Sequence, residues 1–287
     1  MARYSPAVIS IVFGLGTAVC FASSSLFSSR AVRMIGPWSV AAWTMLIGLL
    51  LSLPFVVLAG IPEDLGDHVG WMLLAGAGNV TGLVLAAAAF RVGKVGVATP
   101  ILATEGAVAA VAAAILGESI APIVALLLMA IVLGIVISAT APDPEPLPHE
   151  RPVLTVVLSS AGALAFGLSL YATGTISDDL PIAWVLLPAR VVGVVALAIP
   201  LLILGRLLLT RRALPLVGAM GVLEVVGFVL FAIGAQYQVA VTSVMASQFA
   251  PIAALLAYFI FREKLGRLQI TGVAILVVSV TALTLVS

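Results

Sequence analysis

The chain has 287 residues, 63% of them hydrophobic and only 9% charged, with a formal net charge of +1. A soluble domain carries about 25% charged residues, so no water-facing surface can be built from this composition. The near-neutral balance, without a basic tail, gives no hold for nucleic acid, and a single cysteine, Cys20, excludes an intrachain disulfide or a cysteine-rich metal site.

A helix needs about 20 apolar residues to cross the hydrocarbon core of a bilayer. Ten stretches of about that length follow one another: 7–29, 37–59, 69–90, 95–116, 121–140, 153–174, 183–204, 214–236, 240–261 and 268–286. The first has a superficial likeness to a signal peptide. Only Arg3 precedes it, however, and the apolar run outlasts a typical signal core, so it is expected to be a retained helix. The run ending at Cys20 lacks a lipoprotein leader pattern. The polar pieces Arg91-Val-Gly-Lys94 and Gln236-Tyr-Gln238 separate spans that would otherwise fuse into helices too long for one crossing. Between the fifth and sixth spans, residues 141–152 alternate prolines and read as an extended, semi-rigid linker. The expected fold is an all-α integral membrane protein with ten transmembrane helices.

Lys and Arg set the orientation of such a chain. Eleven of them fall in the odd-numbered connections and only Arg3 on the opposite side, with Arg190 inside a span. The odd connections and the linker are therefore expected in the cytoplasm, with both termini outside.

Shifted by 145 positions, the chain aligns with itself without a gap. Phe21 meets Phe166, Ser24 meets Ser169, and Gly48, Gly60, Gly76 and Gly82 meet Gly193, Gly205, Gly221 and Gly227. Ala109 meets Ala254 and Glu118 meets Glu263. Such a register marks an internal repeat: one five-span half over 1–140 and a second over 153–287, together forming one transport domain. Five is odd, so the second half enters the membrane upside down. Loop charges agree: Arg33 corresponds to Asp178, and Asp67 to Arg212. Inverted-topology repeats are a common architecture of secondary transporters.

Ten spans in two halves, with Gly117-Glu118 after the fourth span and Arg262-Glu263-Lys264-Leu265 after the ninth, resemble the drug/metabolite transporter superfamily, EamA type. The second copy fits better; the first has Ser119-Ile120 where a basic residue is usual. Within that superfamily the chain is similar to bacterial YddG-type amino-acid exporters. The resemblance implies export of amino acids, drugs or other small metabolites across a bacterial inner membrane, with no cofactor. A monomer is compatible with it.

Of the charged residues, only Glu105, Arg190 and Glu224 lie inside spans. An ionisable group in a bilayer is costly, so these are the first candidates for a site. Glu224 lies mid-span, its repeat partner is Asn79, and Phe228 is on its helical face. Glu105 and Arg190 repeat as Ala250 and Met45, so no ionisable residue in the membrane is duplicated. Arg190 is expected to attract a carboxylate and Glu224 or Glu105 an ammonium; alternatively Arg190 pairs with a glutamate as a static strut, or snorkels outward. Phe21, Trp43, Phe166 and Phe228 are candidates to receive an apolar side chain. Ser243 and Gln248 add polar contacts in span nine. Ser23-Ser24-Ser25, Ser28 and the Ser169/Thr173 pair either line a wet path or bond back to helix carbonyls. Gly78 and Gly82 form a GxxxG packing motif, and Pro100 and Pro251 either hinge a gate or shape packing.

These features favour a carrier for amino acids, with cationic amphipathic drugs as the alternative cargo. An intramembrane enzyme is the remote alternative. No Asp or His lies in any span, which excludes an aspartyl dyad, a Ser–His dyad and an HExxH zinc site, and no Walker A loop is present. The inverted repeat disfavours a channel. The expected partners are a small-molecule substrate and the lipid bilayer.

Overall fold

Gly36 alone separates the first two spans. The computed structural model describes residues 6–105, 108, 122–140, 150–177, 179–235, 245–246, 248–262 and 266–286. Helix α1 (Pro6–Ala59) is continuous except at Gly36, whose φ of 78° and ψ of 162° divide it into two arms. Glycine takes that backbone without a Cβ penalty, and Pro37 then starts the second arm with its φ preset and no N–H to satisfy. The loop expected over 30–36 is thereby reduced to one residue, and Arg30 and Arg33 sit on helix.

After α1 come α2 (Leu65–Val92), α3 (Val95–Leu102), α4 (Pro122–Thr140) and α5 (Pro152–Ser177). Then α6 (Ile182–Gly193) runs through a π turn, Val194–Ala198, into α7 (Ile199–Ile203). Helices α8 (Leu214–Ala235), α9 (Phe249–Phe261) and α10 (Arg267–Val286) complete the chain. The π turn ends two residues before Pro200, which has no N–H to give to the helical ladder, and the Ile199 N–H bonds back to the Val194 carbonyl. Among the described residues every regular element is helical. Among the described residues, five stretches are long and apolar enough to cross a membrane: Val8–Ala59, Leu65–Val92, Pro152–Thr173, Ile182–Ile203 and Leu214–Phe231.

One expected span departs from its sequence reading. Residues 95–116 were expected to form one helix, but α3 stops at Leu102 and the chain turns at Ala103 and Thr104. The hydroxyl of Thr104 donates to the Ile101 carbonyl at 2.7 Å, closing that turn just before Glu105. The linker 141–149, the Gly117-Glu118 pair and residues 263–265 lie outside the described residues.

Packing runs through small residues. The first arm of α1 lies along α8, where Ser10 and Thr17 donate to the carbonyls of Gly234 and Gly227. Helix α2 lies along α5, where Ser169 donates to the Ala75 carbonyl at 2.6 Å. Helix α3 packs on α9, and α4 on α10. Lipid tails are as apolar as leucine, so such contacts depend on close approach rather than on hydrophobic burial alone. Large apolar side chains including Leu58, Val153, Ile203 and Val278 instead project outward, exposed, as a lipid-facing surface requires.

The tightest contacts exchange partners at an offset of 145. A Cβ added at Gly82 would lie 2.6 Å from the Phe166 ring, and one at Gly227 would lie 2.7 Å from the Phe21 ring. A Cβ at Gly76 would meet Val192 at 2.7 Å, and one at Gly221 would meet Ile47 at 2.5 Å. Gly48 is pressed by Arg190, and Gly193 by Met45. In each case both the glycine and its neighbour are replaced by the residues 145 positions away. Gly60 and Gly205, another such pair, have φ values of 71° and 63°.

Candidate functional site

A cavity of about 170 Å³ lies between these helices. It is lined from both halves of the chain. Phe21, Ser24 and Ser28 come from the first arm of α1, and Asn79 and Leu83 from α2. Phe166, Ser169 and Thr173 come from α5, Arg190 from α6, Glu224 and Phe228 from α8, and Phe249 from α9. Glu105 enters just after the α3 turn.

All three ionisable residues expected in the membrane thus line one cavity. Nη1 of Arg190 donates to Oε2 of Glu224 at 3.3 Å. The pair is poorly hydrated, with the arginine 2% exposed and the glutamate 15%. The guanidinium carbon lies 5.6 Å from the centroid of the Phe228 ring, within cation–π range. Gly48 backs the arginine on another side, and the Met45 sulfur is 3.6 Å from Nη1. Arg190 is therefore held on several sides, and its buried Nε has no hydrogen-bond partner among the described residues. Glu105 differs. Among the described residues no hydrogen bond or ion pair reaches its carboxylate, and its side chain is half-buried at the cavity wall.

The apolar wall is organised around an aromatic cluster. Phe21 meets Phe228 edge-on at 5.3 Å between centroids, and Phe249 at 6.4 Å. Such geometry suits the ring quadrupoles. Gly227 makes room for the Phe21 ring, and Gly82 for the Phe166 ring. Gly78 would meet the Ala165 carbonyl, so the Gly78/Gly82 pair packs α2 against α5 while bringing Phe166 to the cavity.

Of the residues selected from sequence, Phe21, Asn79, Glu105, Phe166, Arg190, Glu224 and Phe228 meet at the cavity. Trp43 and Gln248 are not among its described lining. The Trp43 indole donates outside the cavity to the Leu208 carbonyl at 3.1 Å, and the Gln248 amide donates to the Thr281 hydroxyl at 3.1 Å. Pro100 lies inside α3, two residues before its end, and Pro251 lies in the first turn of α9. Ser243 lies outside the described residues. Leu83 and Phe249 were missed. The signal for Leu83 was present, because it is the repeat partner of Phe228. Among the described residues no group of three His, Cys, Asp or Glu side chains is arranged to hold a metal ion.

Residues 8–140 match the EamA-like transporter family. The match covers a little under half of the chain, and in that part the chain is similar to the family. That family is one of transporters, and the five apolar helices long enough to cross a membrane agree with a multi-pass membrane protein. No curated protein matches. Twelve solved chains do. One, a crystal structure of a protein, superposes with a TM-score of 0.64 over 96% of this chain and 97% of its own, at 14% identity. At that identity the likeness speaks for the fold alone.

Proposed function

We propose that the protein is a secondary transporter that carries a small amphipathic metabolite by alternating access between two inverted five-span halves, 1–140 and 153–287. The observation that carries this reading is the exchange of contacts at an offset of 145: Gly82 with Phe166 against Gly227 with Phe21, and Gly76 with Val192 against Gly221 with Ile47. Exchanged contacts of this kind are what a two-fold relation produces, in which residue i touches j′ and i′ touches j. Arg190 touching Met45, its own repeat partner, is what a residue beside that axis does. A carrier built this way alternates by swapping the conformations of its halves around a central site.

The cargo in this reading has an ammonium group and an apolar body. Amino acids, the cargo implied by the YddG-type resemblance, belong to that class. The membrane is the bacterial inner membrane, with both termini and the 177–180 connection outside and the 141–152 linker inside. Counterflow in proteoliposomes tests the mechanism. A carrier loaded with unlabelled substrate takes up labelled substrate transiently above equilibrium, and a channel or an enzyme does not. Topology is tested by single-cysteine labelling in a Cys20-free background: protection at Ser287 with outside labelling near Arg211 would reverse the orientation.

A further inference from the structure

We propose that the loop 204–213, between α7 and α8, is a binding surface for anionic phospholipids of the leaflet it faces. In the orientation proposed above that is the cytoplasmic leaflet. The surface is independent of what the cavity carries.

The two copies of this loop share a turn and differ in chemistry. Gly60 and Gly205 open them with φ values of 71° and 63°. Beyond that glycine, Glu63, Asp64 and Asp67 of the first copy stand where the second has Leu208, Leu209 and Arg212. Ile61 and Gly66 stand where it has Arg206 and Arg211. The turn forms with either set of side chains, so it requires neither the arginines nor the leucines.

The second copy is held as a fixed platform. The N–H groups of Arg206 and Leu207 donate to the Leu201 carbonyl at 2.8 and 3.0 Å, and that of Ala213 donates to the Thr210 carbonyl at 3.0 Å. Leu208 donates to Ser39 and accepts from Trp43, which ties the loop to the second arm of α1. Leu207 packs inward against the cluster of Met45 and Leu197, and Ala213 is buried. Leu204, Leu208 and Leu209 are left exposed together with Arg206, Arg211 and Arg212. Among the described residues none of these arginines makes an ion pair. No Asp or Glu occurs in the sequence between Asp179 and Glu224. A loop between two spans lies at the bilayer surface, where leucines enter the acyl boundary and arginines meet anionic headgroups. The guanidinium fork matches phosphate oxygens in pairs. The exposed leucines continue the outward apolar surface of Ile203 and Leu214 on either side, which favours a membrane over an acidic protein as the partner.

Native mass spectrometry of the full chain in detergent measures the binding. The probes are dioleoylphosphatidylglycerol, dioleoylphosphatidylcholine and glycerol 3-phosphate, which carries an anionic group without chains. Each arginine near an anionic surface contributes about fivefold, so we expect phosphatidylglycerol to bind at least roughly tenfold more tightly than either other probe. Replacing Arg206, Arg211 and Arg212 together by Gln is expected to remove that preference. Elution profile and melting temperature should hold, because all three side chains are exposed. Leu208→Ser with Leu209→Ser is expected to weaken phosphatidylglycerol binding severalfold. As a control, Arg33→Gln, Arg91→Gln and Arg151→Gln remove the same charge from other exposed positions in cytoplasmic connections and are expected to leave the preference in place. Equal binding of phosphatidylcholine or glycerol 3-phosphate, wild-type binding in either loop variant, or an equal loss in the control overturns the proposal. Equal binding of phosphatidylcholine would leave an acidic protein as the loop's partner. Counterflow tests the carrier reading separately, and none of these outcomes bears on it.

Discussion

The two regions related by the 145-residue offset agree in their packing and disagree in their charge. Gly82 and Gly227 each accommodate a phenylalanine, and Gly76 and Gly221 each accommodate a branched side chain. Ser24 and Ser169 reach the same cavity. Yet Asn79 stands where the other region has Glu224, Met45 where it has Arg190, and Ala250 where the first has Glu105. Close packing constrains both copies alike, because a glycine that admits a ring has no substitute. A charge in a bilayer is retained only where it has a partner or a task. The backbone scaffold is therefore matched across the two regions, and the chemistry is concentrated in unmatched positions.

The sharpest way to break this comparison is to remove the unmatched cation. Arg190→Met restores the residue found at its repeat partner. If the arginine is a strut for Glu224, the change strands a buried carboxylate and destabilises the protein by about 3–5 kcal/mol. Adding Glu224→Gln to that background should recover most of the loss, because no charge is then left alone. Thermal unfolding in detergent with a double-mutant cycle measures both. A stable Arg190→Met protein that has only lost cargo affinity would instead make Arg190 the cargo's anchor.

The matched part of the comparison predicts equal effects. Gly82→Ala and Gly227→Ala each place a Cβ against a phenylalanine ring. Overpacking of that kind costs about 1–3 kcal/mol. The two melting temperatures should fall together, and by similar amounts. A clear fall for one and none for the other would mean that the sites are similar in sequence but not equivalent in load.

Much of this arrangement is legible in the sequence. Charges inside spans are rare enough to be noticed singly, and all three reached the cavity. The 145-residue register was legible because Gly and Phe matches are improbable in a Val- and Leu-rich chain. Other features were hidden for physical reasons. Hydropathy does not tell which face of a membrane helix looks inward, since lipid and core are equally apolar; this is why Trp43 was expected at the cavity although its indole bonds to Leu208. Which glutamate pairs with Arg190 depends on crossing geometry, which spacing along one helix does not encode. The break after Leu102 rests on a Thr104 hydroxyl and a local turn, and neither interrupts the apolar run. At Gly36 a single residue does the work of a loop, so a charge-based boundary over 30–36 was too wide.

The smallest expected effect compares the two ends of the bundle. The second arm of α1 and α6 run side by side, and each reaches past the end of the other with an indole. Trp184 of α6 donates to the Gly60 carbonyl at 2.6 Å, and Trp43 of α1 donates to the Leu208 carbonyl at 3.1 Å. At the second end, Ser39 also accepts from the Leu208 N–H at 3.1 Å. These are not repeat partners, so the two ends are closed by similar means on different residues. Alternating access requires that one end loosen while the other holds. Replacing either tryptophan by phenylalanine removes one hydrogen bond and little volume, worth about 0.5–1.5 kcal/mol. That should shift the balance of access by roughly two- to tenfold toward the end that lost its tie. Trp184→Phe is expected to raise labelling of a cavity cysteine, placed at Ser28, from the Gly60 end. Trp43→Phe should raise it from the Leu208 end. Opposite shifts would establish the indoles as two separate latches. Shifts in the same direction, or none in either variant, would mean that these bonds only fasten α6 to α1 and that access is controlled elsewhere.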